Sequence, residues 1–167
     1  MFTRAFISTL MVAFIAVGCA SKKPTNTQDD AAAQGANANN TGLTLNLNGD
    51  SDSSTAGGLQ TIYFGFDSSS LDEETKSTMK SNAEFMKTNS TVDVQIEGHC
   101  DERGGRQYNL ALGERRAKAV RDHMVALGVE SKRISIISYG NERPTSEGHD
   151  ESAWSKNRRG NFVVTAK

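Results

Sequence analysis

Residues 20–60 read "ASKKPTNTQDDAAAQGANANNTGLTLNLNGDSDSSTAGGLQ", a run of Asn, Ser, Thr, Gly, Ala and Asp without one aromatic side chain. Such a segment buries too little apolar surface to offset the entropy of ordering its backbone. It is expected to be a flexible tether, so the fold must be built from residues 61–167. As a random coil the tether spans about 35 Å and pulled straight about 140 Å, from roughly 5–6 Å × √n and ~3.4 Å per residue. It can hold a domain away from an anchor and still allow a wide search. Within it only "LTLNLN", 43–48, alternates apolar and polar residues, as a short edge strand or a sticky spot would.

The segment before the tether, "MFTRAFISTLMVAFIAVGCA", carries Arg4 and then an apolar stretch over 5–17 broken only by Ser8 and Thr9. A spanning helix needs about 20 apolar residues, so 1–18 fits a signal peptide; a buried helix is the alternative. Ala16-Val17-Gly18-Cys19 resembles a bacterial lipobox, with Ala16 where an aliphatic residue, most often Leu, is usual. Cys19 is then the lipidated first residue of the mature chain, which starts with the 19–60 linker. An ordinary secretory cleavage would instead leave Cys19 a free thiol. Lipidation leaves Cys100 without an intrachain partner, which excludes a disulfide framework despite an oxidising compartment. Without lipid, a Cys19–Cys100 bond would staple a floppy arm to a core. One acyl chain anchors marginally and two or more anchor stably; lipoboxes of this kind resemble those that lead to three.

From Thr61 onward acidic and basic residues balance, and the whole chain carries Lys+Arg 19, Asp+Glu 20 and a net charge of −1. That balance argues against a nucleic-acid partner, which wants a basic patch. "TIYFGFD", 61–67, alternates Ile62, Phe64 and Phe66 on one face and predicts a strand. Ser70 with Glu73 reads as a capping box opening a helix whose stripe is Leu71, Thr75, Met79, Asn82 and Met86. "TVDVQIEG" predicts a second strand with Val92, Val94 and Ile96 inward. Asn109 is the expected cap of a second helix carrying Leu112, Arg116, Val120, Met124 and Leu127 and ending at Gly128. "KRISIISYG" predicts a strand, "ESAWSKNRR" a short helix and "GNFVVTA" a last strand. Strand–helix alternation implies parallel pairs with helices packed on a sheet. The expected fold class is α/β: a small sandwich of one sheet and two main helices.

No motif for catalysis emerges. His99 and Cys100 are neighbours at a strand end, where successive side chains point to opposite faces. His99, His123, His149 and Cys100 lack metal-ligand spacing, and no nucleophile elbow, phosphate loop or His-Glu-Xaa-Xaa-His run is present. The chain is not expected to be an enzyme or to carry a cofactor or metal. Two side chains do suggest binding. Asp101 follows the second strand in a Gly-rich loop, and Arg116 lies two turns into the next helix. An amino-acid head presents an ammonium, which wants a carboxylate, and a carboxylate, which wants the planar donor fork of Arg. Backbone N–H groups at the helix start would add to the grip. The spacing suits this zwitterion grip, but by itself it favours an internal Asp101–Arg116 salt bridge that pins the loop to the helix.

"EGHCDERGGRQYNLALGERRAKAV", 97–120, closely resembles the signature of the OmpA-like peptidoglycan-binding domain family. "YFGFDSSSL", "RISIISYGNERP", "GHDESAWSKNRRG" and the lipobox narrow the resemblance to lipid-anchored members. It covers about 61–160. It implies a βαβαβ-type domain with one mixed sheet over 61–167, preceded by a disordered tether. It implies non-covalent binding to peptidoglycan through the diaminopimelate of the stem peptide, whose side chain ends in a free amino-acid head. By position, Asp101 would meet the ammonium and Arg116 the carboxylate, Phe66 and Asp67 would line the pocket, and Arg103, Asn109 and Leu112 would border it. Asn157 and Arg158 would act as support near the pocket. Implied partners are Tol-system proteins (a periplasmic propeller protein and an inner-membrane spanning protein). The implied location is the periplasmic face of the outer membrane, with a role in envelope integrity and cell division. A protein-interaction adaptor without wall binding is the alternative. Cys100 stands where the family most often has Thr, and a thiol is the weaker donor. Gly65 stands where it often has an acidic residue.

Overall fold

The computed structural model describes residues 45–167. The expected signal peptide, Cys19 and the tether up to residue 44 lie outside them. The elements run β1 (Ile62–Tyr63), α1 (Glu73–Thr88), β2 (Asp93–His99), α2 (Arg106–Ala126), β3 (Ile134–Gly140), α3 (Glu151–Asn157) and β4 (Arg159–Ala166). One four-stranded mixed sheet has the order β1-β4-β2-β3. Only β2 and β3 are parallel; β4 runs antiparallel to both β1 and β2. The parallel pairing expected from strand–helix alternation therefore holds for one crossover, through α2. The α1 crossover skips a slot, which the C-terminal strand fills. Among the described residues no helix is long and apolar enough to cross a membrane.

The helical stripe of α1 is buried as its spacing predicts, with Thr75, Met79, Asn82, Ala83 and Met86 inward. Met79, Ala83 and Met86 join Val94 and Ile96 of β2, Phe162 and Val164 of β4, and Ala117, Val120 and Met124 of α2 in one core. The cap of α1 is Asp72 rather than Ser70: its side chain accepts from the Thr75 backbone N–H at 2.8 Å. A carboxylate followed by Glu73 and Glu74 suits the positive end of the helix dipole better than a hydroxyl two residues earlier. Asn109 is likewise not a cap. Helix α2 starts at Arg106 after Gly105, and Asn109 sits buried inside the first turns.

Close approach of α2 to the sheet rests on Gly98 and Gly113. A Cβ on Gly98 would lie 1.8 Å from the Gly113 carbonyl oxygen, and one on Gly113 would lie 2.4 Å from Ser138 Oγ. No side chain fits either place. The contact draws the start of α2 against the end of β2, where Asp101 emerges.

Two expectations fail at the edges. The strand over 61–67 pairs only at Ile62 and Tyr63, because the chain turns after Phe64 and Asp67 takes a φ of 50°. Ile62 and Phe64 are buried as predicted, but Phe66 is 61% exposed. Residues 45–60, expected to belong to the tether, are instead packed on the domain. Asn48 donates to the Val164 carbonyl, Val164 to that of Gly49, and Ser51 to that of Phe162, each at 2.9 Å. Beyond the two residues of β1, this segment takes over the same edge of β4. Ala56 and Leu59 enter the core, and Asp52 pairs with buried Arg159 at 2.6 Å. An unpaired edge of β4 supplies hydrogen-bonding partners that no composition argument sees. Of "LTLNLN", Leu45 makes a single bridge to Ala56 rather than a strand.

Candidate functional site

Phe66, Asp67, Asp101, Arg103, Asn109, Leu112 and Arg116 all line one cavity of ≈ 150 Å³, joined by Cys100, Gly104 and Tyr108. The turn after β1 supplies Phe66 and Asp67, the loop after β2 supplies 100–104, and the first turns of α2 supply the rest. A larger hollow of ≈ 460 Å³ lies between β1, α1 and α3. It is lined by Asp72, which caps α1, and by Glu74 and Lys156, and it holds none of the site residues that the sequence pointed to.

Asp101 is only 4% exposed and accepts four hydrogen bonds. Oδ1 takes Arg103 N at 3.1 Å and Nε at 3.2 Å; Oδ2 takes Arg103 Nη2 at 2.6 Å and Arg158 Nη1 at 3.3 Å. Burial alone raises its carboxyl, but the Arg103 and Arg158 bonds overcome this and hold it below the ordinary value. Asp101 is thus a fixed anion at the cavity wall.

Arg116 has no exposed surface. Nε donates to the Ser68 carbonyl at 2.8 Å, Nη1 to that of His99 at 2.7 Å and Nη2 to that of Gly65 at 3.0 Å. The guanidinium has five N–H groups, so two remain beyond these three bonds, and Arg116 lines the cavity. Burial lowers its pKa, yet a guanidinium stays charged in proteins. No ion pair joins Asp101 to Arg116 among the described residues. The internal salt bridge is not formed, and the open cationic arm is not present either. Arg116 is a positive floor clamped by backbone carbonyls, while the cations on Asp101 are Arg103 and Arg158.

The remaining residues hold this geometry. Asn109 Nδ2 donates to the Arg103 carbonyl at 3.1 Å and fixes the loop. Leu112 is a buried apolar wall. The Tyr108 hydroxyl donates to Asp67, joining the two lips across the mouth. Cys100 Sγ donates to the Asn109 carbonyl at 3.3 Å, so the thiol keeps the hydrogen bond its identity put in question. Burial raises its pKa. Asn157 does not reach the cavity; its Oδ1 accepts from Thr145 N at 2.8 Å and Ser146 N at 3.0 Å. Arg158 contributes through Asp101 and by donating to the Phe64 carbonyl at 2.9 Å. Tyr108 was missed, although its i, i+4, i+8 spacing with Leu112 and Arg116 marks it. Trp154 and Glu102, joined at 2.9 Å, were also missed; no local pattern points to them.

His99 lies on the opposite face of β2, 1% exposed, with neither ring nitrogen hydrogen-bonded. Burial holds its pKa below 6.5, against the pull of Glu97, whose Oε2 is 3.4 Å away. A depressed folded pKa means that the unfolded chain binds the proton first. Stability contributed by neutral His99 is therefore present above pH 6.5 and lost as pH falls toward the depressed value. His149, raised by Glu102, acts in the opposite sense. Urea midpoints measured from pH 7 to 5 should show a component of at most about 1.4 kcal/mol per pH unit that His99→Gln removes. An identical pH profile in the variant would contradict this.

The OmpA family matches residues 63–158. A peptidoglycan-associated lipoprotein of Pseudomonas aeruginosa is 42% identical over 161 residues, covering 92% of each chain. One of Mesorhizobium japonicum is 42% identical over 162 residues, covering 94% of this chain and 90% of the relative. The crystal structure of the peptidoglycan-associated lipoprotein from Burkholderia pseudomallei superimposes with a TM-score of 0.60 at 39% identity, covering 62% of this chain and 88% of that one. The C-terminal domain of Helicobacter pylori MotB has the same fold, with a TM-score of 0.61 at 19% identity over 66% of this chain and 87% of that one.

Proposed function

Because the chain belongs to the OmpA family, and within it to the peptidoglycan-associated lipoproteins, we propose that it binds peptidoglycan non-covalently by gripping the free amino-acid head of diaminopimelate in the stem peptide. The family is structural and not catalytic, and the site accords with holding rather than cleaving. The observation that carries the reading is the cavity itself: ≈ 150 Å³, with an ionised carboxylate on its wall and a guanidinium in its floor. That volume suits an ammonium and a carboxylate on one carbon. Asp101 receives the ammonium, and the two remaining N–H groups of Arg116 face the carboxylate. Leu112 meets the methylene stem, and Phe66 and Tyr108 flank the mouth.

In the same reading Cys19 carries the lipid that anchors the chain at the periplasmic face of the outer membrane. The segment up to residue 44 is the leash, and the domain at its end grips the wall. Tol-system proteins are its partners, and the tether serves envelope integrity and cell division.

Titration by NMR with a diaminopimelate-containing stem peptide should shift resonances centred on 101–116. The same stem with lysine has an ammonium but no carboxylate beside it. Losing a charge-assisted pair should weaken it about tenfold or more. Equal response to both peptides, or shifts elsewhere, would overturn the assignment of the site.

A further inference from the structure

The carboxylate meant for the ligand is already occupied. Arg103 holds Asp101 through Nε at 3.2 Å and Nη2 at 2.6 Å, the two-point contact that arginine makes with a carboxylate. Its guanidinium carbon also lies 3.9 Å from the Phe66 ring centroid and 4.0 Å from that of Trp154. The group is a cation stacked between two aromatic faces at the mouth of the cavity. Trp154 is held in turn by its indole N–H, which donates to Glu102 at 2.9 Å.

A carboxylate offers about four lone-pair directions, and Asp101 already accepts four hydrogen bonds. An entering ammonium must displace a donor. Arg158 cannot leave, because it is buried and bound as well to the Phe64 carbonyl and to Glu151. Arg103 can. Its side chain is 31% exposed, and Glu151 Oε2 waits 3.8 Å from Nη2.

Resting on the reading of the cavity as a diaminopimelate site, we infer that Arg103 is an internal competing cation and a specificity determinant. It fills the ammonium position of the empty site and moves from Asp101 toward Glu151 when the ligand enters. The exchange replaces one cation by another, so Asp101 is never left as a buried unpaired charge, which would be costly. It also sets the selectivity. A ligand that brings only a carboxylate has nothing with which to displace Arg103, whereas a zwitterionic head does. The same competition lowers affinity, which suits a tether that must release and rebind as the wall is remodelled.

The test is Arg103→Met, which keeps an unbranched chain between the two rings and removes the charge. Calorimetric titration with the diaminopimelate stem peptide should show affinity about three- to tenfold tighter than wild type, the range expected for deleting a partly exposed competing ion pair. Unchanged or weaker affinity, with wild type binding normally, overturns the inference alone. A second readout needs no variant. On saturation of the wild-type domain, the Arg103 Nε–H resonance should move and exchange faster as its carboxylate bond breaks. A static resonance overturns the inference. Absence of any wild-type binding would sink the reading of the site itself, and this inference with it.

Discussion

Asp101→Asn is expected to abolish co-sedimentation of the domain with purified sacculi. The amide keeps the shape of the side chain and removes the charge that an ammonium seeks. Hydrogen bonds to charged groups contribute about 1.5–3 kcal/mol each, so the loss should be roughly 10- to 150-fold in affinity. A buried charge that loses its partner can itself destabilise by about 3–5 kcal/mol. The surroundings here limit that damage: Arg158 keeps Glu151 and the Phe64 carbonyl, and Arg103 keeps its two aromatic faces and nearby Glu151. Circular dichroism and a thermal melt should therefore show a folded variant that no longer sediments. Full sedimentation by a folded Asp101→Asn domain would remove Asp101 from the site.

Arg116→Lys is expected to fail differently, by loss of the fold. Three carbonyls from two segments converge on one guanidinium: Gly65 and Ser68 from the turn after β1, and His99 from the end of β2. A planar fork reaches all three, and a compact ammonium on a thinner stem does not. Stranding buried carbonyls and a poorly paired buried charge should cost about 3–5 kcal/mol. For a domain of this size the melting temperature should fall by roughly 10–20 °C. Loss of wall binding in an Arg116 variant thus reports a lost ligand contact only after correction for the folded fraction. A Lys variant with an unchanged urea midpoint would overturn the scaffold role of Arg116, and any loss of binding in it would report the ligand contact alone.

These two expectations separate residues that the sequence presents as a matched pair. That Asp101 and Arg116 line one cavity was legible because both lie close along the chain to one loop–helix junction, and helical spacing carries Asn109, Leu112 and Arg116 to one face. What each side chain does there was not legible. Arg158, the second cation on Asp101, is 57 residues away. The carbonyls that occupy Arg116 lie up to 51 residues away. Hydrogen bonds to backbone leave no trace in side-chain pattern, so a reading of charges alone does not count the carbonyls that already occupy a guanidinium.

Periodicity within single elements was enough to specify the inward faces of α1 and β2, the end of α2, and the loop from which Asp101 emerges. It did so because 3.6- and 2-residue repeats act within a few turns, where neighbours along the chain are neighbours in space. Only the assembled tertiary structure settled that β4 lies between β1 and β2, that residues 45–60 dress its edge, and that Arg103 and Arg158 are the cations paired with Asp101. Those outcomes depend on which backbone edges and buried charges remain unsatisfied once the core has closed, and that is a property of the whole chain in three dimensions rather than of any stretch of it.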